Sequence, residues 1–122
     1  MLPDSIPGRI VAAWRKRNFV LVVSEPLLEE IARVLAYPKI RKRLGWDDEI
    51  ISRYISLLRF EAERVSIVGV EANVPADPND NHLLATLIAS QADWLITGDS
   101  DFDELFAHYP IITPGDFVRR LL

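Results

Sequence analysis

The spacing of apolar residues changes several times along the chain, and each change marks an element. Ile10, Val11 and Trp14 fall on one side of a helix. A helix is therefore predicted after Pro7-Gly8 to about Arg17, with Arg15, Lys16 and Arg17 at its C-terminal end, where cations meet the helix dipole favourably. Phe19 to Val23 is an unbroken apolar run rich in β-branched residues, which reads as a strand buried on both faces, as in a parallel sheet. Ser24 is expected to cap a helix that carries Pro26 in its first turn, lasts to about Ala36 and ends at Tyr37-Pro38. Asp47 and Asp48 open an amphipathic helix to about Arg64. Ser66 to Val70 is a strand candidate, and Glu71 to Pro78 is loop. A helix from about Asp80 to Gln91 is followed almost at once by a strand, Asp93 to Thr97. Asp103 to His108 reads as one helical turn, Ile111-Ile112 as a last strand and Pro114 to Leu122 as a terminal helix. Strands alternate with helices throughout, which predicts a three-layer α/β/α sandwich with a mainly parallel sheet.

Composition narrows this picture. The chain has 122 residues and fits one domain, 1–122. At 49% hydrophobic and 26% charged it is ordinary globular protein. No apolar run approaches the ~20 residues of a membrane span. The start, MLPDSIPGR, has no secretory apolar core, so cytoplasmic residence is expected. The absence of cysteine excludes a disulfide frame and a thiolate metal site. The net charge of −4 argues weakly against a nucleic-acid partner, but charge acts locally, over roughly 10 Å.

The candidate chemistry lies in the carboxylates of DPNDNHLLATLIASQADWLITGDSDF, Asp77 to Phe102. In an α/β sheet, ligands collect at the carboxyl edge, and this stretch brings acids to a helix N-terminus and to a strand end. On the helix after Ser24, Leu27, Leu28, Ile31, Val34 and Leu35 form one stripe. Glu29 falls almost opposite that stripe and Glu30 at its edge, so Glu30 can reach inward; a solvated glutamate is the plain alternative. Asp80 sits on the Leu84/Leu87 side of its helix, where simple N-capping would also explain it. Asp77, before Pro78, is expected to shape the loop, and His82 to face away. Asp99 and Asp101 follow the apolar strand residues Trp94, Leu95 and Ile96. A turn needs only one of them, and two repel unless a cation sits between. The Thr97 hydroxyl could hold a carboxylate or a phosphate, or be an ordinary strand residue. With no cysteine and with His82 and His108 badly placed, the ligands would be oxygens, which favours Mg²⁺ or Mn²⁺ over zinc. Such ions commonly serve phosphoryl chemistry.

The basic run Lys39, Arg41, Lys42 and Arg43, with Trp46 near, could track a phosphate backbone and stack a base, or be a solvated charged turn. The faces of Ile10/Val11/Trp14 and Ile51/Tyr54/Ile55/Leu58 are expected to be core. Two other acid-bearing α/β folds fit less well. A response-regulator receiver needs a lysine where Thr113-Pro114 stands, and a dehalogenase-type phosphatase would need LITGDSD near its start.

In three pieces, FVLVVSEPLLEEIARVLAYPKIRKRL, DPNDNHLLATLIASQADWLITGDSDF and IITPGDF, the chain resembles the PIN-domain family, most closely the toxin component of toxin–antitoxin systems. The resemblance implies a parallel five-stranded sheet in an α/β/α sandwich, Mg²⁺ or Mn²⁺ held by acids, and cleavage of single-stranded RNA. It maps the acid of the Ser-led helix onto Glu30, that of the DPxDN element onto Asp80 and that after the TGD strand onto Asp99, with Asp101 assisting. The family pattern begins with an apolar mid-sheet strand ending in Asp-Thr-Asn. No such stretch is present, and Asp4 follows no strand. A gap is therefore expected between the Phe19 strand and the Trp94 strand, and a homo-oligomer or another chain could fill it. Two functions follow as expectations. One is a metal-dependent endoribonuclease toxin restrained by a cognate antitoxin. The other is a PIN-like remnant that binds protein or RNA.

Overall fold

In a computed structural model, residues 5–122 are described. Ser5 starts the first helix by accepting the Gly8 N–H on its hydroxyl, the usual way a serine satisfies an orphan N–H. The helices are α1 (Ile6–Arg15), α2 (Glu25–Leu35), α3 (Pro38–Leu44), α4 (Asp48–Glu61), α5 (Asn81–Ser90) and α6 (Pro114–Leu121). Between them lie four short strands, β1 (Val22–Val23), β2 (Glu63–Arg64), β3 (Leu95–Ile96) and β4 (Ile111–Ile112), and two 3₁₀ turns, Pro78–Asp80 and Ser100–Leu105. The order is that of an α/β fold, and both strand pairings are parallel.

Several local expectations are corrected. The helix expected to continue to Arg64 ends at Glu61, and Glu63 and Arg64 are the strand that pairs with β1. The Ser66–Val70 candidate carries no strand. The basic run is neither a turn nor loop: Pro38 starts it as α3, and Gly45 closes it in the left-handed conformation, φ 67°. Ser24 occupies the N-cap position of α2 without a side-chain capping bond. Its hydroxyl, fully buried, instead meets the Thr86 hydroxyl at 2.7 Å, and Thr86 in turn donates to the His82 carbonyl. This buried polar link joins the start of α2 to the middle of α5.

The core is divided. One cluster gathers Trp14, Val23, Leu28, Leu58 and Ala62, with Val11, Tyr54 and Ile55 packed on it, as their spacing predicts. The other gathers Val74, Leu84, Leu87, Phe102, Leu105 and Ile111. Between them stands α5, which touches both β1 and β3. Four consecutive α5 residues, Leu84 to Leu87, are buried. A helix buried on more than one side cannot be oriented by a single apolar stripe.

The five-stranded sheet implied by the resemblance is not formed by the described residues; two separate parallel pairs, β1–β2 and β3–β4, take its place. A cleft of about 610 Å³ lies between them, lined by Phe19 to Val22 on one side and Asp93 to Ile96 on the other, with Leu83, Leu87 and Phe117 among the apolar residues around it. Its position matches the gap expected between those segments. Leu21 and Val23 turn their main chain to β2 (Glu63 N–H to Leu21 O 2.8 Å, Val65 N–H to Val23 O 2.9 Å). Leu95 and Thr97 turn theirs to the β4 segment (Leu95 N–H to Pro110 O 2.9 Å, Thr97 N–H to Ile112 O 3.0 Å). Since successive residues of a strand alternate, the main-chain groups of Val22 and Ile96 are directed away from those partners, and both residues line the cleft.

Candidate metal centre

The site is built on two turns and the middle of one helix. The first is the loop into α5. The Asp77 carboxylate accepts the Asn79 N–H at 3.0 Å, and Pro78 begins the 3₁₀ turn that delivers Asp80. Asn81 then fastens the preceding loop by accepting the Val74 N–H at 2.7 Å. Asp80 stands at the head of α5 but makes no side-chain capping bond, so capping does not account for it. Only 9% of its surface is exposed, and its Oδ2 is buried with no hydrogen-bond partner.

The second turn follows β3. The Thr97 hydroxyl accepts the Asp99 N–H at 3.1 Å and Asp99 Oδ1 accepts the Asp101 N–H at 2.9 Å, so side chains and backbone fix the acidic turn in sequence. This local role is what holds the Thr97 hydroxyl. Asp99 is exposed and Asp101 half-buried. Phe102, fully buried in the second core cluster, anchors the turn from below.

The third element is α2, which carries Glu30 at half-burial. Its Oε2 lies 3.3 Å from His82 Nε2, while His82 Nδ1 is buried and unpartnered. The expectation that His82 faces away is thus corrected: it points at α2 and meets Glu30. Thr86, one turn on, shares that face and meets Ser24 at the start of α2, a contact that no local sequence signal announces.

These acids act on one another. The Asp80 carboxyl is held above the usual carboxylate range, first by burial and then by the charges of Asp99, Asp77, Glu30 and Asp101. Asp101 is also raised, by desolvation and by Asp99, Asp77 and Asp103. Glu30, Asp80, Asp99 and Asp101, the acids singled out in the sequence, therefore share one electrostatic neighbourhood. The tightest group differs from that set: one ligating oxygen each from Asp77, Asp80 and Asp101 lie within 4.8 Å of one another. Asp77, expected only to shape the loop, does that and also joins the cluster. The donor set fits a hard divalent cation: oxygens only, converging, with one buried carboxylate oxygen lacking a partner.

The basic run lies on α3. Arg41 pairs with Asp48 at 2.9 Å, while Lys39, Lys42 and Arg43 are exposed. Trp46, half-buried, packs its ring against Tyr54 with centroids 5.2 Å apart. No described helix is long and apolar enough to cross a membrane.

The sequence matches the PIN domain over residues 2–101. An uncharacterized protein of Methanocaldococcus jannaschii is 30% identical over 129 residues, which spans 97% of this chain and 81% of the relative. No solved structure matches the chain significantly.

Proposed function

The chain belongs to the PIN-domain family, a family of nucleases, and from that premise we propose that it is a metal-dependent endoribonuclease acting on single-stranded RNA, serving in the cytoplasm as the toxin of a toxin–antitoxin pair. The observation that carries the reading is Asp80, a nine-tenths-buried carboxylate with an unpartnered oxygen and four further acids acting on it. When bound, Mg²⁺ or Mn²⁺ activates a water for attack on a phosphodiester and neutralises charge on the leaving oxygen. Glu30, Asp80 and Asp99 hold the ion in this reading, and Asp101 orients the attacking water from the mouth of the site. Glu30 Oε2 also meets His82 Nε2 at 3.3 Å. Lys39, Lys42 and Arg43 follow the RNA backbone, and Arg41 supports them from its pair with Asp48. In the family pattern a further acid ends a mid-sheet strand; the cleft between β1 and β3 is where such a strand would lie, whether it comes from a second copy or from another polypeptide.

Cleavage of a labelled single-stranded RNA tests the reading. Wild type should cut with Mn²⁺ and not in EDTA, and Asp99→Asn should cut much more slowly. Equal cleavage by both proteins would sink the assignment. The cleft favours a second reading, a non-catalytic module that takes up an extended polypeptide strand between β1 and β3. Titration with Mn²⁺ separates the two, since such a module has no reason to bind the ion saturably.

A further inference from the structure

Asp77 does a job that needs no charge. Its Oδ1 accepts the Asn79 N–H at 3.0 Å, an Asx turn that asparagine would make as well. Yet its carboxylate also stands with those of Asp80 and Asp101, one oxygen of each within 4.8 Å of the others. Oxygens on a single divalent ion, each at about 2.0–2.6 Å, are separated by at most about 5 Å, so the spacing is that of a shared ion. Among the described residues the arginine ion pairs engage other acids: Arg41 with Asp48, Arg53 with Glu49, Arg59 and Arg64 with Glu25, and Arg119 with Asp116. The second observation is Asp80 itself, nine-tenths buried with Oδ2 meeting no donor. Leaving such an oxygen unpaired among like charges is costly, and a cation removes the cost.

We infer that Asp77, Asp80 and Asp101 together bind one divalent cation, with Asp77 a direct ligand. The inference rests on the metal-dependent reading above and changes which acids reach the ion. Asp99 already commits Oδ1 to the Asp101 N–H and is exposed, and Glu30 meets His82. Those two acids then stand beside this ion and are available to the attacking water or to a second ion.

Isothermal titration of MnCl₂ into the whole chain tests the assignment, with wild type, Asp77→Asn, Glu30→Gln and the exposed control Glu104→Gln side by side. Asparagine keeps the acceptor for the Asn79 N–H, so the turn survives; melting each protein in EDTA checks this. Asp77→Ser, which also caps a turn, repeats the test should Asp77→Asn melt early. The expected result is about a 10-fold or greater loss of Mn²⁺ affinity in the Asp77 variants with an unchanged melting temperature in EDTA, and wild-type affinity in Glu104→Gln. Wild-type Mn²⁺ affinity in folded Asp77 variants, with loss in Glu30→Gln, would overturn the assignment and leave the metal-dependent reading standing. Absence of saturable Mn²⁺ binding in the wild type would overturn both.

Discussion

Replacing Asp80 by asparagine keeps the shape of the side chain and removes its charge. In the metal-free protein that charge sits on a buried carboxylate whose Oδ2 has no donor and which four acids push against. An unsatisfied buried polar group costs about 1–3 kcal/mol, more when charged. The new amide could donate to the Asp77 or Asp101 carboxylate, so Asp80→Asn should stabilise the metal-free protein by about 1–3 kcal/mol. For a domain of this size that raises Tm by roughly 4–12 °C. The order should reverse with metal. At 100 times its dissociation constant, Mn²⁺ stabilises wild type by about 2.7 kcal/mol, and the variant, lacking the central ligand, should gain little. The sign with pH follows from the same charge. The folded protein holds the Asp80 proton more tightly than the unfolded chain does, so stability falls as pH rises through the raised value. Below the unfolded pKa of about 3.9 both proteins are uncharged there and should melt nearly together; the gap opens as pH rises and is complete above the raised value. Differential scanning calorimetry in EDTA and in MnCl₂, across that range, reads all of this. A variant that melts below wild type in EDTA at neutral pH, or a gap that does not close in acid, would refute the reasoning.

Other consequences are simpler. Phe102 is fully buried under the acidic turn, so Phe102→Ala should cost about 3–5 kcal/mol in urea unfolding and also weaken Mn²⁺ binding. Ser24→Ala leaves the buried Thr86 hydroxyl without its 2.7 Å partner and should cost about 1–3 kcal/mol, read by chemical denaturation; a neutral result would mean Thr86 is satisfied by the His82 carbonyl alone. Exchanging Lys39, Lys42 and Arg43 for alanine should weaken RNA binding evenly across sequences and lower the salt slope of affinity by about 0.7 per lost contact for single strands, measured by fluorescence anisotropy at several salt concentrations.

The α/β architecture was legible because its signals are strong and local: the stripe of α2, the Ile111-Ile112 strand and the proline-led α6. The apolar run Phe19 to Val23, expected as a strand buried on both faces, is strand only at Val22–Val23 and leaves Val20 70% exposed beside the cleft. The acids at the end of β3 were legible because two carboxylates in one turn exceed what a turn needs. β2 was not. It is two residues long, Glu63 and Arg64, both exposed, so it has no apolar alternation and reads as the tail of α4. One apolar stripe does not orient His82, because α5 is buried on several sides. Serine at the start of a helix signals a cap; the capture of Ser24 by Thr86, 62 residues away, has no local signature. The turn at Asp77 is legible from Asp-Pro, but its place beside Asp101 is a product of tertiary folding.

The most direct test is the position of the ion itself. Crystals grown with MnCl₂ and measured where manganese scatters anomalously should show a peak about 2.1–2.3 Å from an Asp80 carboxylate oxygen, with Asp77 and Asp101 around it. A clean map with no anomalous density at Asp80, its Oδ2 hydrogen-bonded to a protein donor instead, would contradict the account.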